Sequence, residues 1–266
     1  MTEVARFVGS IPELYERHLG PVLFEPYAID LASRVPAGSR KILEIAAGTG
    51  RVTRRLLDDL AADGELVVTD LNQPMLDIAR ELSSDSRITW QQADAESLPF
   101  TDDASFDVVV CQFGIMFIPD KPQALSEMNR VLRPGGTLLL NVWDELAKNP
   151  MTKVLHELAS AEFPNDPPIF MLTPFSMPDP AKLKRLIEDA GFSDVKVETV
   201  PQFGVADSAE DVAIGLVRGN PLWTQLVDRG VDAPAFQAKV AEALRREFGD
   251  NPCRSALSAH VATAVA

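Results

Sequence analysis

Short apolar runs rich in β-branched residues alternate with segments of helical periodicity, and this alternation limits the fold more than any other feature of the chain. Strand, helix and strand in succession predict a βαβ unit, in which the two strands lie parallel. The predicted strands are KILEIA (41–46), ELVVTD (65–70), RITWQQ (87–92), FDVVVCQF (106–113), GTLLLNVW (136–143) and VKVETV (195–200). A seventh strand, SALSAHVATAVA (255–266), is expected to pair antiparallel with the sixth.

The helical segments between these strands span residues 50–61, 73–82, 121–132 and 181–190. Pro134, Gly135 and Gly136 are expected to end the third of them before the fifth strand begins. The predicted fold is therefore α/β, with a doubly wound, mostly parallel seven-stranded sheet that ends in a C-terminal antiparallel hairpin.

Two regions lie outside this alternation. Residues 1–38 predict two short helices, and residues 207–249 predict helices that are broken at Gly219-Asn220-Pro221 and at Gly230. We expect residues 1–266 to form one domain with a core at 40–200, and both regions to cover the carboxyl edge of the sheet, where ligands bind. The alternative is that they cover apolar sheet surface or form a dimer contact.

Composition and charge exclude several classes of function. The 39 acidic residues outnumber the 25 Lys and Arg, and the net charge of -14 disfavours nucleic acid as a partner. The N-terminal sequence MTEVARFVGSIPELYERHLG lacks the apolar region of a signal peptide, and no segment has membrane-spanning length, so we expect a cytoplasmic protein. No His, Cys or acid cluster has metal-ligand spacing, so no metal is expected.

A glycine turn carries the strongest functional signal. In LEIAAGTGRVT (43–53) the first strand leads through Ala46, Gly48 and Gly50 directly into a helix. Small residues in such a turn let backbone N–H groups approach a ligand closely, and the positive end of the helix favours an anionic group.

Two acids extend this signal. Asp70 ends the second strand twenty residues after Gly50, where a carboxylate can accept hydrogen bonds from ribose hydroxyls; the alternative is a helix N-cap. The pair Asp94-Ala95 follows the third strand and can bind adenine, with a helix cap or a solvated loop acid as the alternative for Asp94. Together these residues indicate a ligand that contains adenosine.

The residue three positions after Gly50 separates two kinds of adenosine ligand. A dinucleotide fingerprint has a small residue there, and this chain has the β-branched Thr53. A smaller ligand, to whose amino-acid end Thr53 could donate, is therefore favoured. An NAD(P)-dependent oxidoreductase and a cofactor-binding module without catalysis stay open as alternatives.

An ordered set of motifs, ILEIAAGTGRVT, VVTDLNQPML, ADAESLPF, FDVVVCQFGIMFIPDKPQAL and RVLRPGG, spans residues 42–136. In this set the chain resembles the class I S-adenosylmethionine-dependent methyltransferases, nearest to the ubiquinone and menaquinone biosynthesis C-methyltransferases and their small-molecule relatives. The resemblance implies a Rossmann-like fold, S-adenosyl-L-methionine as cofactor, and C- or O-methylation of a small hydrophobic or aromatic molecule.

The resemblance also assigns residues to the cofactor. It implies that Gly48, Gly50 and Thr53 line the methionine moiety, that Asp70 holds the ribose, and that Asp94 and Ala95 bind the adenine. The further cofactor contacts that we expect are Tyr15, Glu44, Ala46, Leu71, Met75, Gln112 and Phe117. Ala46 stands where the class usually has glycine. The region after residue 201 does not follow the quinone enzymes, so their substrate is not carried over.

Candidates for general-base catalysis are few. Only His18, His156 and His260 could supply an imidazole, and we expect His18 and His156 to lie nearer the ligand than His260. Solvated or capping roles are the alternative for His18. An apolar, soft set of side chains predicts a hydrophobic acceptor pocket, with core packing as the alternative: Phe113, Met116, Phe117, Phe163, Phe170, Met171, Phe175 and Met177.

Overall fold

Seven strands form one mixed sheet in the order β3-β2-β1-β4-β5-β7-β6. The computed structural model describes residues 7, 9–100, 104–168 and 170–266. The strands are β1 (Lys41–Glu44), β2 (Glu65–Asp70), β3 (Ile88–Gln92), β4 (Phe106–Gln112), β5 (Leu132–Trp143), β6 (Ser193–Ala206) and β7 (Cys253–Val265). The first five strands lie parallel, and β7 pairs antiparallel with both β5 and β6. The predicted fold class is confirmed.

Helices cover both faces of the sheet, because successive strand residues point in opposite directions. Leu43 and Val109 pack into one apolar cluster, and their neighbours Ile42 and Val108 pack into the other. The helices are α1 (Ile11–Leu14), α2 (Glu25–Ser33), α3 (Arg51–Asp59), α4 (Gln73–Leu82), α5 (Lys121–Val131), α6 (Pro150–Glu162), α7 (Pro180–Asp189), α8 (Ala209–Arg218), α9 (Leu222–Asp228) and α10 (Ala233–Phe248). No described helix is long and apolar enough to cross a bilayer.

The N-terminal region differs from the two short helices that the sequence predicts. Helices α1 and α2 are joined by a π-helical stretch, Tyr15–Phe24, so the backbone is helical without a break from Ile11 to Ser33. We call this run the N-terminal helical segment. Residues 1–6 and 8 of the predicted cover lie outside the described residues. Stretches of π-helix occur mostly as local insertions and frequently at functional sites.

Charged side chains fasten the N-terminal helical segment to the first turn of α3. Glu16 accepts hydrogen bonds from Thr49 Oγ1 at 2.5 Å and from Arg54 at 2.9 Å, and it pairs with Arg51 at 2.8 Å. Glu25 pairs with Arg51 at 2.8 Å. The positive end of the helix dipole repels cations at a helix N-terminus. Glu16 and Glu25 therefore also stabilise α3, because they neutralise the positive charge of the arginines on its first turn.

The helices of the 207–249 region begin and end close to the predicted positions, with breaks at Gly219-Asn220-Pro221 and Gly230. Helix α8 packs tightly on the N-terminal helical segment, because a Cβ on Gly215 would lie 2.8 Å from Leu19 and 2.9 Å from His18. The predicted end of the sixth strand at residue 200 is too early. Strand β6 continues to Ala206 and remains paired with β7 along that length.

Candidate functional site

Four neighbouring strands end at one side of the sheet and deliver their following segments to a single cleft. The sheet order reverses between β1 and β4, and such a switch point is where open α/β sheets bind ligands. The space between protein atoms in the cleft, with the solvent at its open mouth included, is about 1000 Å³. Its lining consists of Phe7, Tyr15, Ile45, Ala46, Gly48, Asp70, Leu71, Asn72, Met75, Ala93, Asp94, Ala95, Glu96, Gln112, Phe113, Gly114, Phe117, Ile118 and Pro119.

The glycine turn after β1 has a left-handed backbone at three positions. The φ angles are +55° at Ala46, +58° at Gly48 and +78° at Gly50. Alanine is strained in this region and glycine is not, which explains why glycine suits the first position. The methyl group of Ala46 lies against a glycine: a Cβ on Gly114 would be 2.4 Å from the Cβ of Ala46.

The carboxylate of Asp70 is fixed in the cleft wall by backbone donors. Its two oxygens accept hydrogen bonds from the N–H of Gly48 at 2.8 Å and from the N–H of Asn72 at 2.7 Å. Only 7% of Asp70 is exposed, and this burial raises the pKa of its carboxyl. Asp70 therefore joins the glycine turn to the segment after β2 and presents a rigid acceptor.

Asp94 and Ala95 lie side by side on the segment after β3. Asp94 is exposed, and its carboxylate accepts a hydrogen bond from the N–H of Glu96 at 2.9 Å. Ala95 is buried. Both line the cleft. The carboxylate of Asp94 is thus oriented by its own loop while one side of it remains open to a ligand.

Gln112, the last residue of β4, leaves an acceptor without a protein partner. Its amide nitrogen donates to the carbonyl of Phe24 at 3.3 Å, which connects β4 to the N-terminal helical segment. Its Oε1 is buried and has no hydrogen-bond partner among the described residues. Buried polar atoms are rarely left unpaired, so an orphaned acceptor in the wall of a cleft fits a ligand that brings a donor.

Ten of the thirteen predicted cofactor residues line the cleft, and Glu44, Gly50 and Thr53 do not. Thr53 is fully buried and donates to the carboxylate of Glu44 at 2.5 Å, so it supports the turn from behind. Burial raises the pKa of Glu44 to about 8. A Cβ on Gly50 would lie 3.1 Å from Ala79, so Gly50 serves the close packing of the turn against α4.

Several lining residues were missed by the sequence analysis. Asn72, Glu96 and Gly114 each lie within two residues of a predicted contact, so the position of the strand ends was the signal that could have found them. Phe113 was assigned to the acceptor pocket only, and it also lines the cleft. Ile118 and Pro119 follow the short 3₁₀ helix Ile115–Phe117 and likewise lie within two residues of a predicted contact, Phe117.

A second cavity adjoins the cleft and shares Phe7, Tyr15, Phe113 and Phe117 with it; its space, with the solvent at its opening included, is about 590 Å³. Its remaining lining residues are Leu19, Leu23, Phe24, Trp143, Thr152, Phe170, Met171, Pro174, Phe175, Leu216 and Asn220. None of these described residues is charged. The cavity is therefore suited to an apolar or aromatic group.

Aromatic contacts build the boundary between the two cavities. The rings of Phe113 and Trp143 stack with centroids 3.9 Å apart, and Tyr15 stacks on Phe24 at 4.8 Å. Five of the eight soft apolar side chains of the sequence analysis line the second cavity. The other three, Met116, Phe163 and Met177, pack against the apolar core instead.

The three histidines lie away from both linings. His18 is buried, with its Nδ1 3.5 Å from Asp211 of α8, and burial lowers the pKa of its imidazole. His156 is partly exposed on α6 and lines neither cavity. His260 is buried in β7, where its ring bonds to Thr199 and Pro178. The structure thus brings neither His18 nor His156 to the place where a general base was expected.

Known proteins resemble this chain over the region that contains the sequence motifs. A family model described as a methyltransferase domain matches residues 43–140. The ubiquinone/menaquinone biosynthesis C-methyltransferase UbiE of Idiomarina loihiensis is 34% identical over 197 residues, which cover 67% of this chain and 75% of the relative. The chain belongs to the class I S-adenosylmethionine-dependent methyltransferases. This methyltransferase therefore uses S-adenosyl-L-methionine, and the NAD(P)-dependent alternative is not favoured.

Further relatives support the same family and the same fold. UbiE of Ectopseudomonas mendocina is 36% identical over 188 residues, covering 65% of this chain and 72% of the relative. Among solved structures, the phosphoethanolamine N-methyltransferase 2 of Haemonchus contortus in complex with S-adenosyl-L-methionine has a TM-score of 0.60 at 16% identity, covering 96% of this chain and 56% of the other. A putative methyltransferase of Bacillus halodurans has a TM-score of 0.55 at 18% identity, covering 91% and 98%. These structural likenesses show the fold.

Proposed function

We propose that the first cleft holds S-adenosyl-L-methionine and that the second cavity holds a small apolar or aromatic methyl acceptor. The observation that carries this proposal is the shared aromatic boundary: the two cavities meet at Tyr15, Phe113 and Phe117, and no charged side chain lines the second among the described residues. A ligand in one cavity would thus face a ligand in the other across an aromatic surface.

On the cofactor side, we assign each polar group of the cleft to one part of the cofactor. Asp70 would accept from the ribose hydroxyls, and Asp94 with the backbone of Ala95 would bind the adenine. The orphaned Oε1 of Gln112 can accept from an ammonium group at the amino-acid end. When bound, the cofactor supplies a methyl group activated by a positively charged sulfur.

On the acceptor side, the residues position the acceptor and exclude water. Methyl transfer is an in-line displacement, which gains most from holding the reactants close and aligned in a site without water. Tyr15 lines both cavities, and burial, with a smaller contribution from the charge of Glu16, raises the pKa of its phenol well above the ordinary value. Tyr15 therefore remains a neutral phenol at physiological pH and does not act as a phenolate base.

The lining of the second cavity limits the chemical classes of acceptor that the enzyme can methylate. Because the described lining offers no charged base, the acceptor must carry an atom that is already nucleophilic, such as a ring carbon activated by hydroxyl groups or an acidic phenol. The UbiE relatives are named as C-methyltransferases of ubiquinone and menaquinone biosynthesis. Electron-rich aromatic rings are therefore the first acceptors to test, with methylation at carbon and at oxygen distinguished by mass spectrometry of the product.

The decisive experiment blocks the second cavity alone. Leu216 of α8 lines the second cavity and not the cleft, so Leu216→Trp should fill it. We expect this variant to lose methyl transfer to every acceptor of an aromatic panel while its affinity for S-adenosylhomocysteine stays within about threefold of the wild type. Unchanged transfer, or loss of cofactor binding in a folded variant, would refute the assignment.

Trp223→Ala is the matched control, because Trp223 of α9 lines neither cavity and packs against Arg218 at 5.5 Å. We expect it to retain acceptor turnover. The proposal thus gives the 207–249 region an acceptor role through Leu216 and Asn220 rather than through Trp223.

A dimeric state of the enzyme stays a prediction, which sedimentation of the purified protein tests.

A further inference from the structure

Residues 170–178, between α6 and α7, form one wall of the second cavity. Phe170, Met171, Pro174 and Phe175 all line it. Within this wall segment the backbone closes two turns, with Thr173 N–H bonded to Phe170 and Ser176 N–H bonded to Thr173. A segment with so little regular structure depends on contacts from outside to keep its side chains in place.

A buried histidine supplies such a contact. His260 of β7 is 3% exposed, and its Nε2 lies 2.9 Å from the carbonyl oxygen of Pro178. In the described part of the chain, this is the hydrogen bond that joins residues 170–178 to another element. The other ring nitrogen, Nδ1, lies 3.0 Å from the hydroxyl oxygen of Thr199 on β6.

The chemistry of the partners assigns the protons. A carbonyl oxygen only accepts, so the bond to Pro178 requires that Nε2 carries a hydrogen. The hydroxyl of Thr199 can both donate and accept, so Nδ1 is satisfied by it in either case. Through Nδ1 the ring of His260 on β7 is thus fixed to Thr199 on β6, and through Nε2 it donates a hydrogen bond to the wall segment.

The same nitrogen also lies close to the end of β5. Asp144 Oδ1 lies 3.4 Å from His260 Nε2, and Asp144 directly follows Trp143, whose ring lines the second cavity. The Asp144 carboxylate is fixed in turn by the hydroxyl of Ser258 at 2.7 Å and by the N–H of Glu145 at 2.7 Å. The end of β5 and the wall segment therefore meet at His260.

We propose that His260 is a positioning residue for acceptor binding, which fixes the aromatic wall of residues 170–178 through its bond to Pro178. His260 lines neither cavity, so it acts through the wall and not by contact with the acceptor. The inference rests on the proposed function of the second cavity. A wall that is ordered before binding costs less conformational entropy when the acceptor arrives.

Two amide variants separate the hydrogen bond from the volume of the side chain. The amide of His260→Gln reaches about as far as Nε2 and can still donate to Pro178. The amide of His260→Asn reaches only as far as Nδ1, so it can bond to Thr199 but not to Pro178. Each variant is compared with the wild type in the full-length protein saturated with S-adenosylhomocysteine.

The probe is 2-naphthol, followed by quenching of tryptophan fluorescence, and the second readout is amide hydrogen exchange of residues 170–178. We expect His260→Asn to bind 2-naphthol about tenfold more weakly and to exchange faster in the wall segment. We expect His260→Gln to stay within about threefold of the wild type. Both should bind S-adenosylhomocysteine as the wild type does.

Equal behaviour of the two variants would overturn the proposal, because a loss shared by both reports the changed side-chain volume and not the bond to Pro178. Unchanged exchange in His260→Asn would overturn it as well. If Leu216→Trp failed to block 2-naphthol, the proposed function of the cavity would fail by itself. Hydrogen exchange of the wall segment would then still decide whether His260 anchors it.

Discussion

The side-chain oxygen of Asn141 accepts a hydrogen bond from the backbone N–H of Phe113 at 2.9 Å. Phe113 has a φ of +50°, a conformation that costs a residue other than glycine about 1 to 2 kcal/mol. Its ring stacks on Trp143 and lines both cavities. Asn141, which is fully buried in β5, therefore holds the residue that separates the first cleft from the second cavity.

Replacement of Asn141 by Leu should lower the free energy of unfolding by about 1 kcal/mol, because the buried N–H of Phe113 loses the acceptor at 2.9 Å and keeps only the backbone carbonyl of Asn141 at 3.2 Å. Urea unfolding measures this change. Binding of S-adenosylhomocysteine should weaken in the same variant, since Phe113 lines the cleft. Phe113→Leu is the companion variant, because it keeps the backbone hydrogen bond and removes the contacts of the ring with Trp143, Phe24 and Tyr27. Wild-type stability in Asn141→Leu would contradict the role of Asn141.

Asp70→Ala should weaken the binding of S-adenosylhomocysteine more than Asp94→Ala does. We expect about a hundredfold loss for Asp70 and about tenfold for Asp94, since the proposed assignment gives Asp70 two hydrogen bonds from ribose and Asp94 one from adenine. Asp70 also braces Gly48 and Asn72, so its loss loosens the glycine turn. Titration calorimetry gives both affinities, and a thermal melt confirms that each variant is folded. Unchanged affinity in folded Asp70→Ala would remove Asp70 from the site.

Stability should fall as the pH rises, through the carboxyl of Glu44. Burial raises its pKa from 4.5 to about 8, so between these values the folded chain holds a proton that the unfolded chain releases. The stabilising contribution is complete below pH 4.5 and is lost as the pH rises through about 8. Urea unfolding from pH 5 to 8 should show a steeper decline for the wild type than for Glu44→Gln. Parallel curves would show that Glu44 ionises normally.

Glu16→Gln should release the N-terminal helical segment from α3, because it removes the charge that pairs with Arg51 and Arg54. We expect faster tryptic cleavage after Arg17 and weaker binding of S-adenosylhomocysteine, since Tyr15 lies next to Glu16 and lines the cleft. Glu13→Gln is the control, because Glu13 is exposed on α1 and has no ion pair among the described contacts. Equal cleavage rates in the two variants would argue against this attachment.

The sheet could be predicted from sequence because its central strands are buried on both faces, so each appears as a continuous apolar run. Strand β6 was predicted too short for the opposite reason. It lies at the edge of the sheet, and its second half contains Pro201, Gln202 and Gly204, which resemble a loop. Only its pairing with β7 extends it to Ala206. The π-helical stretch likewise has no sequence period of its own that separates it from an α-helix.

The cleft could be predicted residue by residue where a motif fixes both position and chemistry, as at Asp70 and Gln112. The direction in which a side chain points was harder to predict than the position of its residue along the chain. Thr53 lies on the first turn of α3, near the ligand along the chain, but its side chain turns inward to Glu44. The expected base failed in the same way, because His18 shares a helical run with Tyr15 but is buried beside Asp211 of α8. Such partners come from distant parts of the chain, and local spacing contains no information about them.

The contact between Ala46 and Gly114 makes the two positions epistatic. Gly114→Ala alone would place two methyl groups 2.4 Å apart, so it should be tolerated only after Ala46→Gly has vacated the space. In the reverse order, the first exchange places the new methyl group against Ala46. The order in which the two exchanges occur therefore decides whether the intermediate protein contains this clash. Because Cys111 Sγ would still lie 2.8 Å from the new methyl group, a third exchange at Cys111 completes the path. Among homologous sequences, we therefore expect side chains at both positions to be rare, and glycine at one to accompany a larger residue at the other.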